Sequence, residues 1–284
     1  MRGEFVDVGG ARLYYFAAGT RGEGEPVLLL HGFPTSSHLW RDVVPLVPAG
    51  HRVVVVDLLG YGRSDPPGGR DVGIKGHAER IIALLDALRI NFAAVVGHDV
   101  GGGIAQYLAV RHPTRVARLC LIDSVAFDDW PTRDVKLARA TLPLTRHLPA
   151  TWILSLLRSD LQRGYSEHEE GARSIDMYVR PFAAPDGLDS LVQHLSALNS
   201  EETQALAPRL KDIVAPTSVI WGAHDPFLPL SLGKRLAEAI PGSTFDVIPD
   251  VRHFVPESAP ATVDRKSTRL NSSHRLLSRM PSSA

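Results

Sequence analysis

A single cysteine, Cys120, stands in the 284 residues, so no disulfide can close within the chain. It sits in the apolar run 119–122 and reads as buried filler. No apolar run approaches the ~18 residues that a membrane span requires. The N-terminal MRGEFVDVGG has no apolar core of the kind a secretory signal carries. Charge of one sign is also missing: 31 basic residues face 31 acidic ones. No field is therefore available to draw in nucleic acid or an anionic membrane. No set of His, Cys, Asp and Glu has metal-ligand spacing, and neither a repeat nor a low-complexity segment is found. A cytoplasmic globular protein with neither metal nor cofactor is expected.

The last residues read differently from the rest. Asp264 to His274 is DRKSTRLNSSH and the chain ends SRMPSSA. Both stretches can be encoded by common short-read sequencing adapter. The three residues between them, Arg275, Leu276 and Leu277, fill the room of an index. The expectation is a non-native tail over 264–284, with the native fragment ending near Val263. Without that basic tail the remaining sequence is mildly acidic.

Along the rest of the chain, short apolar runs alternate with helical stripes, the signature of a mostly parallel sheet with helices on both faces. Residues 5–8 and 13–16 flank Gly9-Gly10 and predict an N-terminal hairpin. Further strands are predicted at 26–30, 52–56, 92–96, 116–122, 217–221 and 244–248. Helices are predicted at 75–88, 100–111 and 230–240, and a last one begins at 256. Between 124 and 208 the rhythm breaks into helical, polar and proline-rich segments without a clear strand. The reading is a core of 1–123 and 209–263, with an inserted helical cap over 124–208.

The chemistry-bearing motif is Gly97-His98-Asp99-Val100-Gly101, between a predicted strand and a predicted helix. It has the shape of the G-x-S-x-G nucleophile elbow, with aspartate in the serine position. Its glycines suit a turn too crowded for side chains, and the helix N-terminus that follows favours an ionised carboxylate. An N-cap aspartate is the plain structural alternative for Asp99. Three other segments lie at predicted strand ends. His31-Gly32-Phe33-Pro34 could supply a backbone donor, so that the N–H groups of Phe33 and Val100 form an oxyanion hole. Trp221-Gly222-Ala223-His224-Asp225-Pro226 ends in an acid, and Val251-Arg252-His253-Phe254 offers a base. The order Asp99, Asp225, His253 is that of nucleophile, acid and histidine in such a fold. His31, His98 and His224 read as packing or supporting groups.

HGFPTSSHLWR, DLLGYGRSD, GHDVGGG, WGAHDPF and RHFVPE together give the chain its resemblance to the α/β-hydrolase superfamily, and within it to the aspartate-nucleophile branch of epoxide hydrolases and haloalkane dehalogenases. The resemblance runs from about Phe5 to Val263 and is weak across the cap. It implies Asp99 as nucleophile, His253 as base and Asp225 as the acid that orients it. Asp123 is the alternative acid, from a position that some dehalogenases use. A carboxylate that attacks sp3 carbon leaves an ordinary ester, which a His-activated water can cleave. The expected partners are therefore a small apolar organic substrate and water.

The leaving-group site departs from both subfamilies. The Trp and Asn by which many haloalkane dehalogenases hold halide are replaced by Val100 and Phe33. Epoxide hydrolases protonate the ring oxygen with cap tyrosines; residues 175–181 resemble the stretch that carries one, which makes Tyr178 the candidate acid. A second tyrosine, expected near Leu198-Asn199, is missing. Trp130 and Trp152 are candidates for an apolar pocket wall. Epoxide hydrolysis is the preferred reading and haloalkane dehalogenation the alternative. A non-catalytic small-molecule binding protein is the reading from another class, and an intact triad counts against it. Resequencing the source locus tests the tail: the native frame should depart from this sequence near Val263, and a native frame through Ala284 would remove the adapter explanation.

Overall fold

The computed structural model describes residues 3–19, 24–145 and 147–263; the segment 264–284, expected to be adapter-derived, lies outside them. Eight strands form one sheet: β1 (Gly3–Asp7), β2 (Arg12–Ala18), β3 (Val27–Leu30), β4 (Val53–Val56), β5 (Ala93–Asp99), β6 (Val116–Ser124), β7 (Thr217–Gly222) and β8 (Thr244–Ile248). Their order is β1-β2-β4-β3-β5-β6-β7-β8. The first hairpin forms as expected. Gly9 and Gly10 both take positive φ, 63° and 75°, which a two-residue turn of this hand requires. β1 and β2 pair antiparallel, as do β2 and β4, and every other pairing is parallel.

Parallel central strands are covered on both faces and so read as continuous apolar runs. β3 is VLLL and β4 is VVVV, and β4 is buried throughout. Two helices pack beside them. α1 (Ile74–Ala87) buries Ile74, Ala78, Ile81, Leu84 and Leu85, a stripe at helical spacing. α2 (Val100–Arg111) is buried on almost every side. Its Gly101, Gly102 and Gly103 allow this, because a side chain at Gly102 would overlap Ser124 and one at Gly101 the backbone of Leu30 and His31.

Two strands run further than their apolar runs suggest. β5 continues through Gly97, His98 and Asp99, and β6 through Asp123 and Ser124. Asp99 pairs with Ser124 after a register shift at His98/Asp99. Glycine and polar residues hide these extensions from a reading based on hydrophobicity, although all five positions are buried.

Between β6 and β7 come α3 (Arg133–Thr145), α4 (Ala150–Gln162), α5 (His168–Val179), α6 (Gly187–Ala197) and α7 (Glu201–Leu206), with no strand among the described residues. α3 has no fully buried residue, and α4 buries only Leu154 and Leu161. α8 (Leu230–Ala239) packs on β7 and β8, and α9 (Val255–Ser258) follows the last strand.

The strand order positions the site. From β3 the chain goes to β4 on one side and returns to β5 on the other. At such a switch point the loops after neighbouring strands part and leave a crevice at the C-terminal sheet edge. Gly32-Phe33, after β3, and Asp99, at the end of β5, stand there. The loop after β7 meets the loop after β8 so closely that a Cβ at Gly222 would overlap the Arg252 carbonyl oxygen. Gly222→Ala should therefore cost about 1–3 kcal/mol by overpacking and move the loop that carries His253. A lower denaturant midpoint together with lost activity is the expected result, and an unchanged midpoint would contradict it.

Candidate active site

Asp99 occupies the turn from β5 into α2 with φ 52° and ψ −119°, a strained backbone for a residue with a side chain. Crowding holds it there. A Cβ at Gly97 would overlap the Gly101 carbonyl, and the Val125 N–H donates to the Asp99 carbonyl at 3.2 Å. The side chain does not cap its own helix, so among the described residues the N-cap alternative is not realised. Instead Oδ2 accepts the Phe33 N–H at 2.9 Å, and the Val100 N–H also stabilises the carboxylate. Of the two donors expected to form an oxyanion hole, Phe33 already bonds an Asp99 oxygen.

Burial raises the Asp99 pKa from 3.8 to about 6, against the pull of His253 and of the Phe33 and Val100 N–H groups. The side chain is thus ionised at neutral pH, but at a cost.

His253 follows β8, and its Nδ1 lies 2.8 Å from Asp225 Oδ2. With Nδ1 donating to Asp225, the Nε2 lone pair is left free. Asp225 in turn accepts the N–H groups of Phe227 at 2.8 Å and Leu228 at 3.1 Å through Oδ1, and its side chain is fully buried. Burial works against a protonated His253, yet Asp225, and to a lesser degree Asp99 and Asp160, hold its pKa above the ordinary value. His98 supports the loop: its Nε2 lies 3.0 Å from the His253 carbonyl. Burial keeps that ring neutral, and facing a carbonyl, Nε2 must be the protonated nitrogen.

Asp123, the alternative acid, does not meet His253. Its Oδ1 accepts the Gly222 N–H at 2.8 Å, and among the described residues Oδ2 has no partner. Burial, and then the neighbouring Asp225, push its pKa well up.

The expectation for Tyr178 is corrected. Its hydroxyl donates to Glu257 Oε1 and does not reach the cavity that Asp99 and His253 share. Tyr165 also donates to Glu257, at 3.2 Å, as do Ser174 at 2.6 Å and Arg41 at 3.2 Å. The acid that gathers these tyrosines lies four residues after His253, and nothing in the local pattern around Tyr178 points to it.

The cavity lies between the sheet edge and the inserted helices. Phe33, Pro34, Asp99, Val100, Phe227 and His253 face it from the core, and Trp130, Leu157, Asp160 and Leu161 from the other side. Among the described residues no Lys or Arg lines it. Trp130 takes the wall position expected of it, but its indole N–H donates to Thr203 at 2.8 Å. Trp152 is 63% exposed and lies elsewhere. His224 is exposed. The His31 ring joins the backbone of Gly32 and Leu58. Asp160 and Phe227 escaped the sequence reading. The signal for Asp160 was a charge on the flank of the stripe Leu154, Leu157, Leu161.

This sheet and its strand-to-helix elbow define a hydrolase fold, and comparison agrees. The family described as alpha/beta hydrolase fold matches residues 25–260. The chain belongs to that family and is a hydrolase of that fold. It is 31% identical to the 2-hydroxy-6-oxononadienedioate/2-hydroxy-6-oxononatrienedioate hydrolase of Paraburkholderia xenovorans (strain LB400), over 87% of this chain and 86% of the relative. It is 30% identical to the cis-3-alkyl-4-alkyloxetan-2-one decarboxylase of Shewanella oneidensis, over 90% and 83%. A solved α/β-hydrolase-fold protein from Burkholderia ambifaria superposes with a TM-score of 0.83 at 26% identity, over 93% of this chain and 98% of that one. Among the described residues no helix is long and apolar enough to cross a membrane.

An acid that binds its proton more tightly when folded loses stability for the fold as it ionises. For Asp99 the loss sets in as pH rises through 3.8 and is complete above about 6. At about 1.4 kcal/mol per pKa unit it amounts to roughly 3 kcal/mol. Asp99→Asn should therefore raise Tm by about 5–10 °C at pH 8, and the gain should shrink towards zero near pH 4. A pH-independent difference would refute the buried-charge account.

Proposed function

We propose that Asp99 attacks sp3 carbon of a small, uncharged, apolar substrate, with water as co-substrate, and that the ring carbon of an epoxide is the preferred target. The observation that carries this reading is the Phe33 N–H bonded to Asp99 Oδ2 at 2.9 Å. A serine hydrolase keeps its oxyanion donors open for the substrate carbonyl. Here the nucleophile's own oxygen fills the position, and a carboxylate attack on a carbonyl would in any case give an anhydride. At sp3 carbon the other oxygen can displace a leaving group and form an alkyl ester. The Asp99 carbonyl then already lies against Phe33 and Val100 when His253 delivers water to it. The negative charge of the tetrahedral intermediate falls on an oxygen whose donors are in place. Asp225 fixes the tautomer and offsets the charge that His253 gains.

The cavity lining supports an uncharged substrate. The name of the Paraburkholderia relative specifies a dicarboxylate, and a dianion needs cations that the described lining lacks. Halide displacement has weaker support, because the one indole on the cavity wall already donates to Thr203. A second reading is the opening of a strained lactone at its ring sp3 carbon. The Shewanella relative is named for an oxetan-2-one, and its carboxylate leaving group would dispense with the tyrosine acids that Glu257 withholds here.

His253→Ala should trap the ester. Incubated with epoxides, oxetan-2-ones or haloalkanes, it should gain the mass of a whole epoxide on Asp99. The mass of a whole lactone would favour the second reading, and that of an alkyl group without halide would favour dehalogenation. No adduct from any of them would overturn Asp99 as a nucleophile at sp3 carbon.

A further inference from the structure

Opening an epoxide leaves an alkoxide, a poor leaving group unless a proton reaches it as the C–O bond breaks. Tyr165 and Tyr178 do not line the cavity and donate to Glu257. Apart from Asp99 itself, the side chains of the lining that carry a transferable proton are Thr132, Asp160 and His253. The Thr132 hydroxyl is far too weak an acid, and the Nδ1–H of His253 is directed at Asp225, which leaves Nε2 facing the reaction as an acceptor rather than a donor. Asp160 remains.

We propose that Asp160, on α4, is the catalytic acid that protonates the leaving oxygen. The inference rests on Asp99 being the nucleophile at sp3 carbon. Asp160 lines the same cavity as Asp99 and His253, but from a helix rather than from the sheet edge, so a leaving oxygen displaced there by Asp99 shares the cavity with its carboxyl.

The surroundings suit a carboxyl that exchanges a proton. Arg163 lies 2.7 Å from Asp160, but it is shared with Asp134 of α3 at 3.0 Å. Two acids divide one guanidinium, so the trio keeps a net negative charge that a proton on Asp160 relieves. Burial raises the pKa of Asp160 against the opposing pull of Arg163, with Asp134 adding to the rise and His253 lowering it. At 42% side-chain exposure, Asp160 can be reprotonated from solvent.

The steps balance. The Asp99 carboxylate forms a C–O bond to the ring carbon, the ring C–O bond breaks, and its electron pair takes the Asp160 proton. The products are a hydroxyalkyl ester and an Asp160 carboxylate. His253 then removes a proton from water, and the hydroxide adds to the ester carbonyl carbon. Collapse expels the diol oxygen, which takes that proton from His253. Asp99 releases a proton to solvent, and Asp160 regains one from it. The net change is epoxide plus water to diol.

The test uses the His253→Ala chain, with and without Asp160→Asn, and follows Asp99 alkylation by intact mass. Two alkylating probes are compared, a terminal epoxide and the methanesulfonate ester of the same carbon chain, whose leaving group needs no proton. Asp160→Asn should reduce the ratio of epoxide to sulfonate alkylation rates at least 100-fold and remove the alkaline limb of the epoxide pH profile. Asp160→Glu should restore part of both. An unchanged ratio, with or without a general slowing, would overturn Asp160 as the acid. If His253→Ala alone takes up neither probe, the underlying nucleophile reading has failed instead, which makes the two failures distinguishable.

Discussion

A carboxylate must be kept charged in a place that disfavours charge, and much of this structure follows from that. Asp99 is 9% exposed, and desolvation alone would drive it neutral. Three things resist this: the N-terminus of α2, the N–H groups of Phe33 and Val100, and the nearby His253. Each demands geometry. The helix must start one residue after Asp99, which forces φ to 52°. The Phe33 loop must lie against the elbow, so Gly32 can carry no side chain where it abuts the Asp99 carboxylate. The fold thus tolerates both backbone strain and a partly desolvated ion at one residue, as expected where reactivity rather than stability sets the arrangement.

The acid–base pair is held by separate means. Asp225 and His253 come from loops after β7 and β8, and backbone contacts draw those loops together. The Ala223 N–H donates to the Ile248 carbonyl at 3.0 Å and the His224 N–H to the Val251 carbonyl at 3.1 Å. From the other side, the Gly164 carbonyl at the end of α4 accepts the His253 N–H at 3.0 Å. A side chain at Gly164 would crowd Phe254 and Phe227. Phe227 stands edge-on to the His253 ring, with centroids 5.0 Å apart, and limits how the imidazole can turn. The inserted helices therefore do more than roof the cavity, because one of them fixes the histidine loop.

The sheet, and the meeting of Asp99, Asp225 and His253 at its strand ends, were legible because they rest on local patterns. Valine runs announce β4, glycines around Asp99 announce the elbow, and acid and histidine follow strand ends in the order the fold imposes. The strand extensions were not legible, because Gly97, His98, Asp123 and Ser124 are buried without being hydrophobic. The cavity's far side was legible only in part. Tyr178 has the residue type of a cap acid, but its hydroxyl direction depends on Glu257, 79 residues away in sequence, and no periodicity records that. Asp160 failed in the opposite sense: on a helix with exposed charges it looks ordinary until the fold sets it against the cavity.

The charges also bear on the order of events. In the resting site His253 is flanked by Asp225, Asp99 and Asp160, whose negative charges raise its pKa against the lowering effect of burial. The same interaction favours the ionised Asp99 carboxylate. Esterification of Asp99, the step proposed above, would abolish one of those negative charges. The His253 pKa must then fall, because a favourable Coulomb partner has gone while desolvation remains. Asp225 stays bonded at 2.8 Å and preserves the tautomer through the change. In the proposed mechanism the imidazole would thus bind its proton less tightly once an ester exists for it to act on, and the carboxylate re-formed by hydrolysis would restore the resting balance. A serine in the same elbow would carry no charge at rest, so its acylation would not remove one from beside the histidine. In the proposed mechanism Asp99 would therefore serve both as nucleophile and as a charge that shifts the pKa of its partner.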